Sequence, residues 1–420
     1  MKKYISQLLF MGASFGALFF VNTSFAEKHM HTMPHGSASH VVDKQCLKAA
    51  YKQRCAKTMT SVFDSAGRLW SVWTNGNFLY VNSSEDKGKT FSKAIKVNKV
   101  AENISARNEH RPKIKVSSNG NIYLSWTQKL KKRFTGNIRF SRSIDNGMSF
   151  SSPITVNDNK DEISHRFDAL GVNSKGDIYI SWLDKRDKVQ ALKKGKDYNG
   201  AAAYYAVSTD KGLSFSKNKK IADNSCECCR MAMAFDNRGL PVIAWRHIYG
   251  DNIRDHSIVN FKDRFTCKTP NRLSYDNWQI DGCPHHGPSL SISKNNTYHA
   301  VWFNNAEKRH GVFYANSIDA GQNFSRPISV GSYTNRASHA DILSVKGLVF
   351  IVWQEFVQSR YRLSMMKSDN NGNDWGKPEI ISSTSTKPDY PFLLADGANV
   401  FISWHLKGKK YHLINLSGLR

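Results

Sequence analysis

The chain has 420 residues and a formal net charge of +26, from 60 Lys+Arg against 34 Asp+Glu. At 40% hydrophobic and 12% aromatic residues it is too apolar for a disordered chain, and 27 Gly and 11 Pro exclude collagen-like and Pro-rich low-complexity classes. The only long apolar run lies at the N-terminus, which excludes a multi-span membrane protein.

Lys2 and Lys3 form a positive n-region, Leu8 to Val21 is apolar, and Ser24-Phe25-Ala26 offers small residues at a cleavage site before Glu27. Residues 1–26 are therefore predicted to be a bacterial secretory signal peptide, and the protein is expected in the periplasm or the medium. An uncleaved anchor is the alternative, but the run falls short of the roughly 20 residues that span a bilayer. Residues 27–45 form a tail carrying His29, Met30, His31, Met33, His35 and His40. Imidazole and thioether groups point to copper. Removal of Lys2 and Lys3 leaves the basic surplus nearly intact, which favours acidic partners such as anionic glycans or lipid surfaces. No basic run of nucleic-acid type occurs. The cluster Lys129 to Arg133 reads as a solvated loop at a hairpin tip.

Residues 46–420 carry an internal repeat and are read as a single domain. The box Ser-x-Asp-x-Gly-x-(Thr/Ser)-Phe occurs at Ser84–Phe91, Ser143–Phe150 and Ser208–Phe215. A fourth copy, Ser317–Phe324, has Asn323 in place of the hydroxyl residue, and a fifth, Ser368–Trp375, is degraded. Asp and Gly are turn residues, one bonding backbone amides and the other accepting positive φ. The wide gap between Asp210 and Asp319 implies a repeat without a box, near Phe261 to Phe265. A second marker fills it, since β-rich segments end in Trp73, Trp126, Trp182, Trp245, Trp302, Trp353 and Trp404, at intervals of 51 to 63 residues. Each repeat holds about four short strands; in the second they are placed at 113–116, 122–126, 138–141 and 154–156. Four-stranded units repeated in this way predict an all-β propeller of seven blades, or six if a terminal marker belongs to a shared blade. The last repeat lacks one strand, which a segment near His40 to Cys46 is expected to supply.

The box resembles the Asp box, or BNR repeat, of the sialidase superfamily, over roughly residues 58–420. The pairing of Cys226-Glu-Cys-Cys-Arg with Asp281-Gly-Cys-Pro-His is similar to a bacterial group of exported sialidase-like proteins. The resemblance implies a propeller. In its enzymes it implies three arginines on a substrate carboxylate, a Tyr nucleophile activated by a Glu, and an Asp acid/base. The Phe-Arg-Ile-Pro motif of that superfamily has only His110-Arg111-Pro112 as a counterpart here.

The start of each innermost strand faces a propeller's axis. Those positions are His110-Arg111, His165-Arg166, Cys229-Arg230, His285-His286, Arg336 with His339, and Asp389-Tyr390. Arg111, Arg166 and Arg230, with His339, are the candidates for an anionic ligand such as a sialic-acid-type glycan, because guanidinium offers a planar fork of donors. Alternatively each Arg bonds loop carbonyls of a neighbouring blade. Tyr390 is the candidate nucleophile, with Asp168 and Glu355 as catalytic acids; Glu109 and Asp389 are further choices that no spacing separates from them. Cys226, Cys228, Cys229, Cys283, His285 and His286 form a competing constellation for a soft metal such as copper or zinc. In an oxidising compartment the same cysteines are expected to bridge, the triplet to Cys283 and Cys46 to Cys55, with one of seven left over. Three readings result: a glycan-binding and hydrolysing propeller, a non-catalytic binding module, and a copper-binding propeller. A monomer is expected.

Overall fold

The computed structural model describes residues 52–397 and 399–416. Seven antiparallel sheets follow one another along the chain: residues 60–96, 113–155, 165–225, 232–272, 289–330, 338–384 and 392–415, here blades 1 to 7. Blades 1, 2, 3, 5 and 6 have four strands each. In blade 2 the strands are Lys113–Val116, Ile122–Lys129, Gly136–Ser143 and Ile154–Thr155, each paired with the next. In blade 4 the outer position is shared by two short pieces, Thr266–Cys267 and Asn271–Arg272, which both pair with His256–Asp263. Blade 7 has three strands among the described residues; the segment expected to complete it, near His40 to Cys46, lies outside them. The fold is a seven-bladed β-propeller. The segment expected to be a signal peptide, the His/Met tail and Cys46 also lie outside the described residues. Among the described residues no helix is long and apolar enough to cross a membrane.

The seven Trp markers stand on the second strand of blades 1 to 6 and just after it in blade 7. All are buried, and the apolar clusters around them join adjacent blades: Trp70, Val72 and Ile114 bind blade 1 to blade 2, and Val352 and Ile402 bind blade 6 to blade 7. The burial of large side chains between sheets, ~1.5–3 kcal/mol each, is the main adhesive of the ring. Phe63 and Leu69 of blade 1 pack with Leu394 and Phe401 of blade 7, which closes it. A polar device recurs beside the Trp residues. The indole N–H donates to Glu102 from Trp126 (2.9 Å), to Asp184 from Trp182 (2.8 Å), to Asp276 from Trp302 (2.7 Å) and to Glu355 from Trp353 (2.9 Å).

The boxes lie between the third and fourth strands of blades 1, 2, 3, 5 and 6. Four share one pattern of bonds, and in blade 6, where Asn370 replaces the Asp, its amide donates instead to Asp374 (2.8 Å). In blade 1 Asp86 accepts from the Ser84 hydroxyl (2.8 Å), the Thr90 amide (2.8 Å) and the Thr90 hydroxyl (2.6 Å), while the Gly88 amide donates to Ser84 Oγ (2.8 Å). Thr90's hydrogen bonds, then Ser84's, hold the Asp86 carboxyl well below the usual carboxylate range. In blade 4 no box occurs; Asp263 accepts from the Phe265 amide (2.7 Å) and the strands meet in a tight turn.

Candidate functional site

The loops that lead into the innermost strands meet on one face of the ring, as the repeat register requires. Two of these strands carry bulges. Pairing shifts opposite Trp182 in blade 3, and between Ser338 and Asp341 in blade 6. Phe167 and His339 take positive φ there (59° and 51°). A bulge re-aims the side chain it carries, and such backbone concentrates at functional sites.

Each of the three arginines has partners of its own within the protein. Arg111 makes a two-pronged pair with Asp389, 2.7 and 2.6 Å, and donates to the carbonyls of Met59 (3.2 Å) and Asn108 (2.5 Å). Both partners are buried, and the pair spans the seam between blade 7 and blades 1 and 2. Arg230 donates to the carbonyls of Pro288 (3.1 Å) and Ala340 (2.9 Å). Arg166 is half-buried over Phe134 and Phe167, with one contact to His110 Nδ1 at 3.3 Å. It makes no ion pair among the described residues.

Glu109 occupies the axis instead. Its carboxylate accepts from the Gly287 amide (2.9 Å) and from His339 Nδ1 (3.4 Å), and Arg230 Nη1 lies 3.8 Å away. Burial pushes this carboxyl up, but the Arg230 charge and the His339 hydrogen bond outweigh it and hold it at about 2. His339 itself is pushed down by burial, so a neutral imidazole donates that bond. Four rings stack beside Glu109: Phe303 on His286 (4.2 Å), His286 on His339 (4.2 Å) and His339 on Tyr390 (3.4 Å). Burial, then the Glu109 charge, push the Tyr390 phenol well up, which opposes its use as a phenolate nucleophile.

Asp168 and Glu355 lie in other surroundings. Asp168 clasps blade 2, accepting from the hydroxyls of Ser125 (2.6 Å) and Thr127 (3.5 Å). Glu355 is the blade 6 member of the Trp–carboxylate series, and also accepts from the Ser332 amide (3.3 Å).

The cysteine loops lie side by side, on either side of blade 4. Cys226, Cys228, Cys229, Cys267 and Cys283 are free thiols, so the bridge expected between the triplet and Cys283 is not formed. The sulfurs of Cys226 and Cys228 are 3.6 Å apart, of Cys226 and Cys229 4.0 Å, and of Cys228 and Cys229 3.9 Å, whereas a disulfide requires ~2.05 Å. The triplet is buried and Cys283 and His285 are exposed, so the group opens to solvent on one side. Cys267 stands apart on the outer strand of blade 4. Arg254 donates to Cys226 Sγ at 3.3 Å. Hydrogen bonds from Cys228 and Cys229, with the charges of Arg246 and Arg254 beside it, hold the Cys226 thiol well below its usual range. Cys283 is lowered by its bond from Cys228. Cys228 is pushed up by the same bonding, and Cys229 by burial.

The frame behind these loops is built from arginine. Arg246, fully buried, donates to the carbonyls of Arg254 (2.7 Å), His286 (2.9 Å) and Phe303 (2.7 Å), and so ties the loop carrying Arg254 to the loop carrying His286. Gly287 is required at its position, because a Cβ there would lie 2.4 Å from the Arg230 carbonyl oxygen. Glu109 was among the candidate acids, but sequence reasoning did not single it out as the axial carboxylate, nor Arg254 as the cation on Cys226. Glu109 directly precedes His110-Arg111, and that adjacency was the available sign. A cleft of about 350 Å³ between blades 1 and 2, lined by Val97, Glu102, Arg139 and Phe150, is remote from this chemistry, and its Glu102 is committed to Trp126 and Arg139.

No protein-family model matches the chain, and no curated protein matches it in sequence. Solved structures do match in fold. A Hadza microbial sialidase aligns at 13% identity over 82% of this chain and 75% of its own, with a TM-score of 0.50. The alpha-L-arabinofuranosidase of Fusarium graminearum with arabinobiose aligns at 15% identity over 88% and 95%, with a TM-score of 0.51. An ulvan lyase bound to a uronic acid–sulfated rhamnose unit aligns at 9% identity over 84% and 92%, with a TM-score of 0.52. At these identities the likeness is one of fold: the chain is similar to these propellers in architecture.

Proposed function

We propose that this is an exported metal-binding propeller that holds a thiophilic ion, copper(I) or zinc, on the thiol rim of its axial face. The observation that carries the reading is the sulfur spacing of 3.6 to 4.0 Å in the Cys226, Cys228, Cys229 trio. Thiolates ~2.3 Å from a tetrahedral ion lie about 3.8 Å apart, so the trio already has the edge length of a coordination polyhedron. Arg254 offsets thiolate charge, and Arg246 fixes the loop that carries Arg254. Binding is an acid–base exchange in which each thiol loses its proton to solvent as sulfur bonds the ion. The His/Met tail would supply a second ligand set for the same class of ion.

The test is elemental analysis of the mature protein from its native export route, paired with a thiol count before and after chelation. Bound copper or zinc in fixed proportion, thiols released by chelator, and loss of rim-bound metal in Cys226→Ser are expected. Thiols fully reactive without chelator, in protein that carries no metal, would sink the reading.

A second reading is favoured by Arg166, a half-buried cation on the same face that has no carboxylate partner among the described residues. It would bind an anionic ligand, with an acidic glycan first, in keeping with the carbohydrate-acting propellers of like fold. Sialyllactose binding that weakens at least tenfold in Arg166→Ala, without turnover, would favour it; unchanged binding would remove it.

A further inference from the structure

The rim offers more ligands than one ion uses. One ligand atom from each of Cys226, Cys228 and Cys229 falls within 4.8 Å of the others, and so does one from each of Cys228, Cys283 and His285. The two trios have only Cys228 in common. Two ligands on one ion stand no farther apart than twice the bond length, about 4.6 Å for metal–sulfur bonds, so a bound of 4.8 Å leaves each trio within a small side-chain adjustment of one ion's ligand set. A thiolate sulfur has lone pairs enough to bond two ions at once.

The hydrogen bonding of the His285 ring leaves one nitrogen with a lone pair. Its Nδ1 lies 3.0 Å from the Cys228 carbonyl oxygen, which can only accept, so Nδ1 carries the proton and Nε2 carries the lone pair. A ligating histidine that donates its other N–H to a carbonyl is the usual arrangement around metals. The backbone at His285 stands at φ 53°, in the left-handed region that non-glycine residues rarely adopt. The burial gradient matches two positions, one enclosed by the buried triplet and one at the exposed Cys283 and His285.

We propose that the rim holds two thiophilic d10 ions joined by the Cys228 thiolate: an inner ion on Cys226, Cys228 and Cys229, and an outer ion on Cys228, Cys283 and His285. This rests on the metal reading above and extends it to a two-ion centre whose outer half is open to exchange. No electron changes hands; four thiols release four protons as the two ions bind. The outer position is where an ion would enter or leave, and the inner is where it would be retained.

Cadmium NMR on the reduced full chain loaded with cadmium tests this, because thiolate-bound ions resonate apart from any held by the His/Met tail. Two thiolate signals are expected. His285→Ala and Cys283→Ser, both at exposed positions, should each remove or shift the outer signal and keep the inner. Cys229→Ser should do the reverse, and Cys267→Ser should change neither. A single signal indifferent to His285→Ala and Cys283→Ser overturns the two-ion centre while the single-ion reading stands. No thiolate signal overturns both. Should a buried-cysteine variant fail to fold, the two exposed-position variants decide the matter alone.

Discussion

Arg111 and Asp389 join residues from opposite ends of the propeller, and neither is left free for a ligand. Removing one partner strands the other charge in a dry site, which costs ~3–5 kcal/mol. Arg111→Ala is therefore expected to lower unfolding stability by about that much, whereas Arg111→Leu with Asp389→Leu should recover most of the loss. Urea denaturation of the two variants measures the difference; equal losses would show that the ion pair is not what matters at the seam. The position of Arg111 at a strand start was legible in the sequence, but its task was not. Its partner lies 278 residues away, and no local spacing announces such a pairing. Glu109 was obscured similarly, because its carboxylate is defined by an amide from blade 5 and an imidazole from blade 6.

The box turns are the elements the sequence reveals best, because their bonds run between residues two and four apart. Their glycines do two jobs that can be separated. Gly147 has φ 80°, and a Cβ on it would lie 2.5 Å from the Trp70 ring of blade 1; Gly176, in a different turn, has φ 84° and open space around it. Gly176→Ala should cost ~1 kcal/mol for backbone conformation alone. Gly147→Ala should cost ~1–3 kcal/mol more, through overpacking against a neighbouring blade. Equal costs in thermal or urea unfolding would mean that the Trp70 contact relaxes freely. The Trp–carboxylate series stayed hidden in the sequence because the acid stands two residues after Trp182 and Trp353 but 24 and 26 before Trp126 and Trp302. That irregularity kept the Trp353 bond of Glu355 from showing in the sequence.

At the scale of the whole molecule, burial has left several histidines neutral. Burial lowers His299 and His405, both within the ring, to about 4. The unfolded chain takes up protons on these residues below about pH 6.5, and the folded chain does so only near pH 4. Their contribution is thus fully present above pH 6.5, is lost as pH falls through that window, and changes no further below it. Each is worth about 3 kcal/mol across the interval. The urea midpoint should fall between pH 6.5 and pH 4, and His299→Gln, which cannot protonate, should fall less steeply; parallel profiles would refute the assignment. Blade number and order were readable from the Trp period, since that period is a property of every repeat. The pairing of thiol loops was readable only as adjacency; their distances depend on the arginine frame behind them, which leaves no pattern in the chain.

The apolar seam between Phe63, Leu69, Leu394 and Phe401 also sets a timetable. The first blade is finished some 300 residues before the last arrives to cover it. At synthesis rates of ~5–20 residues per second that interval is about 15–60 s. Through that interval blade 1 presents an uncovered apolar face, and the nascent ring can accept the wrong sheet, including one from another copy. The time a newborn chain spends open, rather than the strength of the finished ring, then governs how much of it reaches the closed form.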